Sequence, residues 1–291
     1  MTVDEQVLSE AIEALLVARN PRNMQVARAA LKPGYYLRAA QQLRGLTGTV
    51  LIGTGFPVAG TFETDGPVGA IALYQALQAL GARPVIACAT PLAQVLESAY
   101  RILPLERDPA DDGSYSATEW LEANQPGAII SIERPGMADD GRYYNMRGED
   151  ISAGCGVFDP FMTLAKCPTL AIGDGGNEIG MGNIADALSE LDIDVATTCC
   201  DELLVADVSN WGAYGLLAFL GLWAQRDLLA EFSPTDTLRY LSERGSVDGV
   251  TRQNTLTEDG LPPSAGGASS SANLLGGTRE SGAGSAILGS G

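Results

Sequence analysis

The residues best suited to chemistry cluster in four polar turns, each following a short apolar run. The densest is GDGGNEIGMG (173–182), where five glycines bracket Asp174, Asn177 and Glu178. Oxygen-only donors suit a hard divalent cation such as Mg²⁺ or Mn²⁺ better than zinc, with Asp174 and Glu178 as the candidate ligands. Gly175 and Gly176 let the backbone approach a ligand closely. A tight turn needs only one or two glycines for itself, so this density points to binding. The turn also reads as a strand-to-helix junction, whose free amides stabilise negative charge.

The second turn, ETDGP (63–67), offers Glu63 and Asp65 for proton transfer. Gly66 and the amides that open a helix at Pro67 would cradle an anion. Asp65 could equally cap that helix. In the third, SIERPG (131–136) followed by GRYYNMR (141–147), Glu133 and Arg134 leave a buried strand directly. The planar fork of Arg134 fits a carboxylate, although a Glu–Arg pair could simply pin the loop. Tyr143, Tyr144 and Asn145 would shape the pocket wall. The fourth turn, 207–214, places Ser209 or Asn210 as the cap of an apolar helix and Trp211 at the crevice edge.

Composition removes whole classes of mechanism. Histidine is absent, which excludes Ser-His-Asp and Cys-His catalysis, His-ligated zinc and HExxH proteases. No Gly-Lys-Ser/Thr loop follows a strand, and GxGxxG does not occur. The net charge of −18 disfavours nucleic acid and anionic membrane surfaces as partners. Five cysteines form no CxxC pair and read as buried reduced thiols of a cytoplasmic protein. The acidic, amphipathic start reads as neither a signal nor a transit peptide. The most apolar stretch, 211–224, is too short to span a bilayer and predicts a buried helix.

These turns need elements to hold them. Apolar residues recur at helical spacing over 4–19, 24–31 and 36–43, which predicts a helical N-terminal segment. From Thr49 the pattern alternates: strands at Thr49–Thr54, 83–88, Ala128–Ile132, 168–172 and 202–206, with helices at 67–80 and 92–100. This is the alternation of an α/β fold, a doubly wound and mostly parallel sheet flanked by helices. Residues 1–263 read as one catalytic domain, with a helical lead-in over 1–47. The Gly/Ser/Ala-rich stretch 264–291 predicts a disordered tail. Ligands of such sheets bind beyond the carboxyl ends of the strands, where these turns converge.

Together, ETDGP, SIERPG, GRYYNMR, GDGGNEIGMG, VSNWGAY (208–214) and VDGVT (247–251) resemble the catalytic, DUF4392-type domain of the D-glutamate cyclase family, over about 49–262. The resemblance implies a hydro-lyase that converts D-glutamate to 5-oxo-D-proline and water. On that reading Asp174 or Glu178 is the base or a metal ligand, and Glu63 and Asp65 are second candidates for proton transfer. Arg134 takes one substrate carboxylate and the helix start at Asp65–Pro67 the other. Glu133, Gly66, Tyr144, Asn145, Gly175, Gly176, Asn177, Ser209, Asn210 and Trp211 complete the binding set. The expected partner is a small molecule, with a homo-oligomer left open. Two other readings stay open: a metal-dependent enzyme of phosphates or nucleotides, and an amino-acid-binding homologue without turnover.

Overall fold

The structure is a computed structural model that describes residues 4–106 and 112–265. Helices α1 (Glu5–Leu16), α2 (Met24–Ala30) and α3 (Tyr35–Leu43) form the lead-in. Asp4 caps α1 by accepting from the amides of Gln6 (3.0 Å) and Val7 (3.2 Å). Leu8, Ile12 and Leu16 recur on its buried face. A small polar knot joins α1 to α3. The Ser9 hydroxyl donates to Glu13 Oε1 (2.8 Å) and accepts from the Leu37 amide (3.0 Å).

The strands are β1 (Thr49–Thr54), β2 (Pro57–Val58), β3 (Thr61–Phe62), β4 (Arg83–Ala89), β5 (Ile102–Leu105), β6 (Ala128–Ile132), β7 (Thr169–Gly173) and β8 (Glu202–Val205). Six of them form one sheet in the order β5-β4-β1-β6-β7-β8, with every neighbouring pair parallel. β2 and β3 make a separate antiparallel hairpin. Strands β1, β6 and β7 are buried along their whole length, as apolar strands covered on both faces must be. After β1 the chain steps outward to β4 and β5. It then returns to lay β6 on the other side of β1 and continues to β7 and β8. The direction therefore reverses between β1 and β6, where the following loops diverge and leave a crevice.

The remaining helices are α4 (Pro67–Ala79), α5 (Leu92–Leu96), α6 (Ser114–Asn124), α7 (Asp159–Thr163), α8 (Ala185–Leu188), α9 (Ser209–Ala224) and α10 (Pro234–Ser242). A Cβ on Gly69 of α4 would lie 2.6 Å from Ile132, and one on Gly53 would lie 2.4 Å from the ring of Phe158. Ile132 pairs with Thr54, the neighbour of Gly53, so strand alternation places α4 and Phe158 on opposite faces. Helices thus cover both sides of the sheet. The apolar helix α9 packs against α4 and is buried on every side over its first 13 residues.

Several elements differ from the sequence expectation. The helix expected over 92–100 stops at Leu96. β5 was not anticipated; it is an edge strand interrupted by Pro104. Helix α6 buries only Ala117, so it has no apolar stripe to read. Cys199 is exposed rather than buried, and all five cysteines are free. Of the expected tail, Ser264 and Ala265 close a 3₁₀ turn, and 266–291 lie outside the described residues. Among the described residues, no helix is long and apolar enough to cross a membrane.

Candidate active site

The turn after β1 and the turn after β8 are interlocked by their helix caps. Asp65 does not cap α4, the helix it precedes. Its carboxylate accepts from the amides of Ser209 (2.9 Å) and Asn210 (2.8 Å), the first residues of α9. In exchange, Asn210 Oδ1 accepts from the amides of Gly66 (2.9 Å) and Gly69 (2.7 Å) at the start of α4. Each helix is capped by the other's leading segment. The anion cradle expected at Asp65–Pro67 is therefore already filled by Asn210. Ser209 and Asn210 lie within α9 rather than at its cap position, which Val208 occupies. Trp211 is 4% exposed, so it belongs to the core and not to a crevice edge. Burial, then the charge of Asp259, lifts the Asp65 pKa to about 7.

At the end of β6, Glu133 and Arg134 diverge. Glu133 adopts φ +41°, a strained value for a residue other than glycine, and accepts from the Ser209 hydroxyl at 2.5 Å. Gly66 has no Cβ to obstruct this approach; one would lie 2.7 Å from Glu133 Cβ. Arg134 departs from its expected role. Its guanidinium donates to the carbonyls of Thr54 (3.0 Å), Gly55 and Gly156, and lies 5.6 Å from the ring centroid of Phe158. It fastens two backbone segments, at 54–55 and at Gly156, to the end of β6 and does not line the hollow.

The glycine-rich turn after β7 is a folded loop, not the mouth of a long helix. It leads into a 3₁₀ turn (Met181–Ile184) and the four-residue α8. Glu178 folds back so that its carboxylate accepts from the amides of Asp174 (3.3 Å) and Gly176 (2.6 Å). Much of the glycine content serves close packing: a Cβ on Gly182 would lie 2.3 Å from the Thr197 carbonyl. Asn177 donates to the Tyr144 carbonyl at 2.7 Å, tying this loop to the 141–151 loop. The Tyr144 hydroxyl points outward, to Asp140 (2.6 Å).

Two residues at the centre of the site were missed from the sequence. Arg22, on the connection between α1 and α2, forms ion pairs with both Asp174 and Asp259. It also donates to the carbonyls of Asp174 (3.0 Å) and Asp207 (2.9 Å). Asp207 positions that connection by accepting from the amides of Arg19 (2.7 Å) and Asn20 (3.0 Å). Asp259 comes from a loop organised by Asp248, which accepts from the amides of Val250, Thr251 and Gly260 and from the Thr257 hydroxyl. Burial opposes ionisation of Asp248, but these donors outweigh it and hold its pKa low. No local pattern around Arg22 or Asp259 marks either one. VDGVT was a partial signal: a Cβ on Gly249 would lie 1.8 Å from Glu63 Oε2, so only glycine admits that carboxylate.

Glu63, Glu133, Asp174, Asn177 and Glu178 meet in a hollow of about 390 Å³, with Arg22 and Asp259 beside them and Asn145 at its wall. That volume falls within the ~300–1,000 Å³ typical of small-molecule sites. A second hollow of about 510 Å³, near Lys166 and Cys167, gathers no such cluster. Burial pushes the pKa of Glu63, Glu133 and Asp174 well up. Neighbouring carboxylates add to it, while Arg22 pulls Glu63 and Asp174 back. Glu258, buried behind the cluster, is raised to about 8 by burial and by Asp65. Burial weakens the Arg22 charge, but Asp174, Asp259 and Glu133 more than restore it.

The donor set also fits a hard cation. Carboxylate oxygens of Glu133, Asp174 and Glu178 lie within 4.8 Å of one another, as do those of Asp65, Asp174 and Asp259. Asp174 is common to both trios, but Arg22 pairs with two members of the second and only one of the first, so the first is the better cation site.

An open parallel sheet with a carboxylate-lined hollow at its switch point defines an α/β protein whose candidate site lies at the carboxyl ends of its strands. More particularly, the chain belongs to the D-glutamate cyclase-like family: residues 12–274 match the sequence model described as D-glutamate cyclase-like, C-terminal. It is 33% identical over 202 residues to the mitochondrial D-glutamate cyclase of Homo sapiens, covering 59% of this chain and 32% of that protein. The matched region therefore spans about a third of the human relative's length. Among solved structures, an exopolyphosphatase-related protein from Bacteroides fragilis aligns with a TM-score of 0.44 at 10% identity, covering 84% of this chain and 57% of that one.

Proposed function

We propose that the chain cyclises D-glutamate to 5-oxo-D-proline and water, acting as a hydro-lyase in the carboxylate-lined hollow. The supporting observation is the convergence of Glu63, Glu133, Asp174 and Glu178 on one pocket in a chain of this family. Amine and γ-carboxyl belong to one molecule, so the protein need only hold a folded conformer with nitrogen against the γ-carboxyl carbon. The ammonium must lose a proton, and the γ-carboxylate must become an electrophile.

A crowded set of buried acids cannot ionise fully, so it contains proton acceptors and proton donors together. Asp174 has Arg22 stabilising its charged form and takes the ammonium proton. Glu63, whose ionisation is disfavoured chiefly by burial and which has no ion pair among the described residues, supplies a proton to the departing oxygen. The C–N bond forms as one C–O bond breaks. Nitrogen gives up two protons in all, and the oxygen leaves with two as water, so both acids return to their starting states. Glu133, Asp174 and Glu178 would hold a divalent cation, which when bound supplies further neutralisation of carboxylate charge. Exposed acids and a net charge of −18 weigh against the phosphate or nucleotide reading.

The test is incubation of the purified protein with D- and L-glutamate, with and without a chelator, with 5-oxoproline resolved by chiral chromatography. The D-enantiomer should yield product, and Asp174→Asn should lower the rate by at least about a hundredfold with an unchanged circular-dichroism spectrum. No product from either enantiomer, or full activity in Asp174→Asn, defeats the proposal.

A further inference from the structure

The hollow is polarised. Its buried lining is acidic, whereas its exposed lining includes two arginines on adjoining loops, Arg147 and Arg252. The guanidinium groups differ in what they already hold. Arg22, at the floor, is saturated by two carboxylates and two carbonyls. Arg252 is paired with Glu149 at 2.8 Å. Arg147 alone of the three forms no ion pair among the described residues. That is notable in a chain where acids outnumber bases by 36 to 18.

Its backbone is nevertheless well fixed. Asn145 Oδ1 accepts from the Arg147 amide at 2.9 Å and from the Glu149 amide at 3.1 Å. Asn145 also donates to Glu149 Oε2 at 2.6 Å, and an isolated bridge joins Tyr144 to Asp150. The arginine therefore stands on a braced loop tip at the mouth, its guanidinium in no ion pair among the described residues although it also borders a neighbouring hollow with Asp192 and Asp194.

We propose that Arg147 is the specificity-determining residue of the hollow: it takes the α-carboxylate of the amino acid and so selects against amines that lack one. This assignment rests on the cyclase reading above. The reacting amine and γ-carboxyl belong at the acidic floor, where the proton acceptors and donors are. The α-carboxylate takes no part in the bond changes, so it has no need of the proton acceptors and donors at the floor. The remaining polar group of the substrate thus meets the unpaired guanidinium, whose planar fork matches a carboxylate. Because substrate and product both retain this carboxylate, the contact contributes to binding equally before and after reaction. Its loss should raise KM far more than it lowers kcat.

Calorimetric titration with 5-oxo-D-proline and with 2-pyrrolidinone, the same ring without the carboxylate, isolates the contact. The wild-type protein should bind 5-oxo-D-proline at least about tenfold more tightly, the usual scale of one charge-assisted pair. Arg147→Ala should lose that preference while leaving 2-pyrrolidinone affinity unchanged, and Arg147→Lys should recover part of it. In turnover, Arg147→Ala should raise KM for D-glutamate about tenfold and change kcat less than about threefold. A variant that keeps the wild-type preference overturns the assignment alone. If the wild-type protein binds neither ring and forms no 5-oxoproline, the cyclase reading itself has failed and this assignment falls with it.

Discussion

Arg22 lies more than 150 residues from Asp174 in sequence, yet its guanidinium is the direct counter-charge of that group and of Asp259. Its side chain is 19% exposed and its carboxylate partners are less so. Deleting one member of such a pair leaves the other charge poorly solvated. Arg22→Ala should therefore cost about 3 kcal/mol at pH 8, the lower end of what breaking a buried pair costs. The penalty should shrink at pH 5. Arg22 normally pulls the Asp174 pKa down, so without it Asp174 is more readily neutralised by a proton. Urea titrations at the two pH values check this; an equal loss at both would show that the charge pairing is not what Arg22 contributes.

At the scale of elements, the exchange of caps between α4 and α9 fixes how the β1 and β8 turns meet. One side chain, Asn210, satisfies two buried amides of α4. Asn210→Ala should lower stability by about 1–2 kcal/mol, the upper range for loss of a cap. Since Gly66 adjoins Glu133 Cβ, the same change should also reduce turnover. Denaturant midpoints and initial rates measure the two effects, and an unchanged midpoint would mean that water replaces the amide oxygen without cost.

For the whole molecule, the buried acids set the direction of the pH response. A carboxyl whose folded pKa lies above its unfolded value binds protons more tightly when folded. Stability from such a group is present at low pH and is lost as pH rises towards the folded value. Asp65 places this loss between the ordinary carboxylate range and about 7, and Glu258 extends it to about 8. Surface self-repulsion from the net charge of −18 acts in the same direction. Tm should therefore fall from pH 5 to pH 8 by at least about 3 °C. Millimolar Mg²⁺ or Mn²⁺ should recover part of the loss at pH 8 by binding the folded carboxylate cluster. Calorimetric scans across this range would contradict the argument if Tm rose with pH.

Legibility divided along physical lines. β1, β6, β7 and α9 were readable because burial on all sides demands unbroken apolar sequence, which few other structures require. Glu63, Glu133, Asp174 and Glu178 could be nominated because each directly follows an apolar strand or its turn, where a parallel sheet presents its ligand groups. Helix α6 and strand β5 were not readable, since one buries a single alanine and the other contains a proline. The sequence by itself determined a parallel α/β sheet, a chemistry without histidine and the main acids of the hollow. Tertiary structure alone decided the partners. It turned Arg134 towards backbone carbonyls, gave Asp65 to the helix beginning at Ser209, and brought Arg22 and Asp259 from the two ends of the described chain to one carboxylate. The reason is that an arginine's type and local spacing do not encode which distant acid it will neutralise; only the packing of the lead-in helices and the late loop against the sheet settles that pairing.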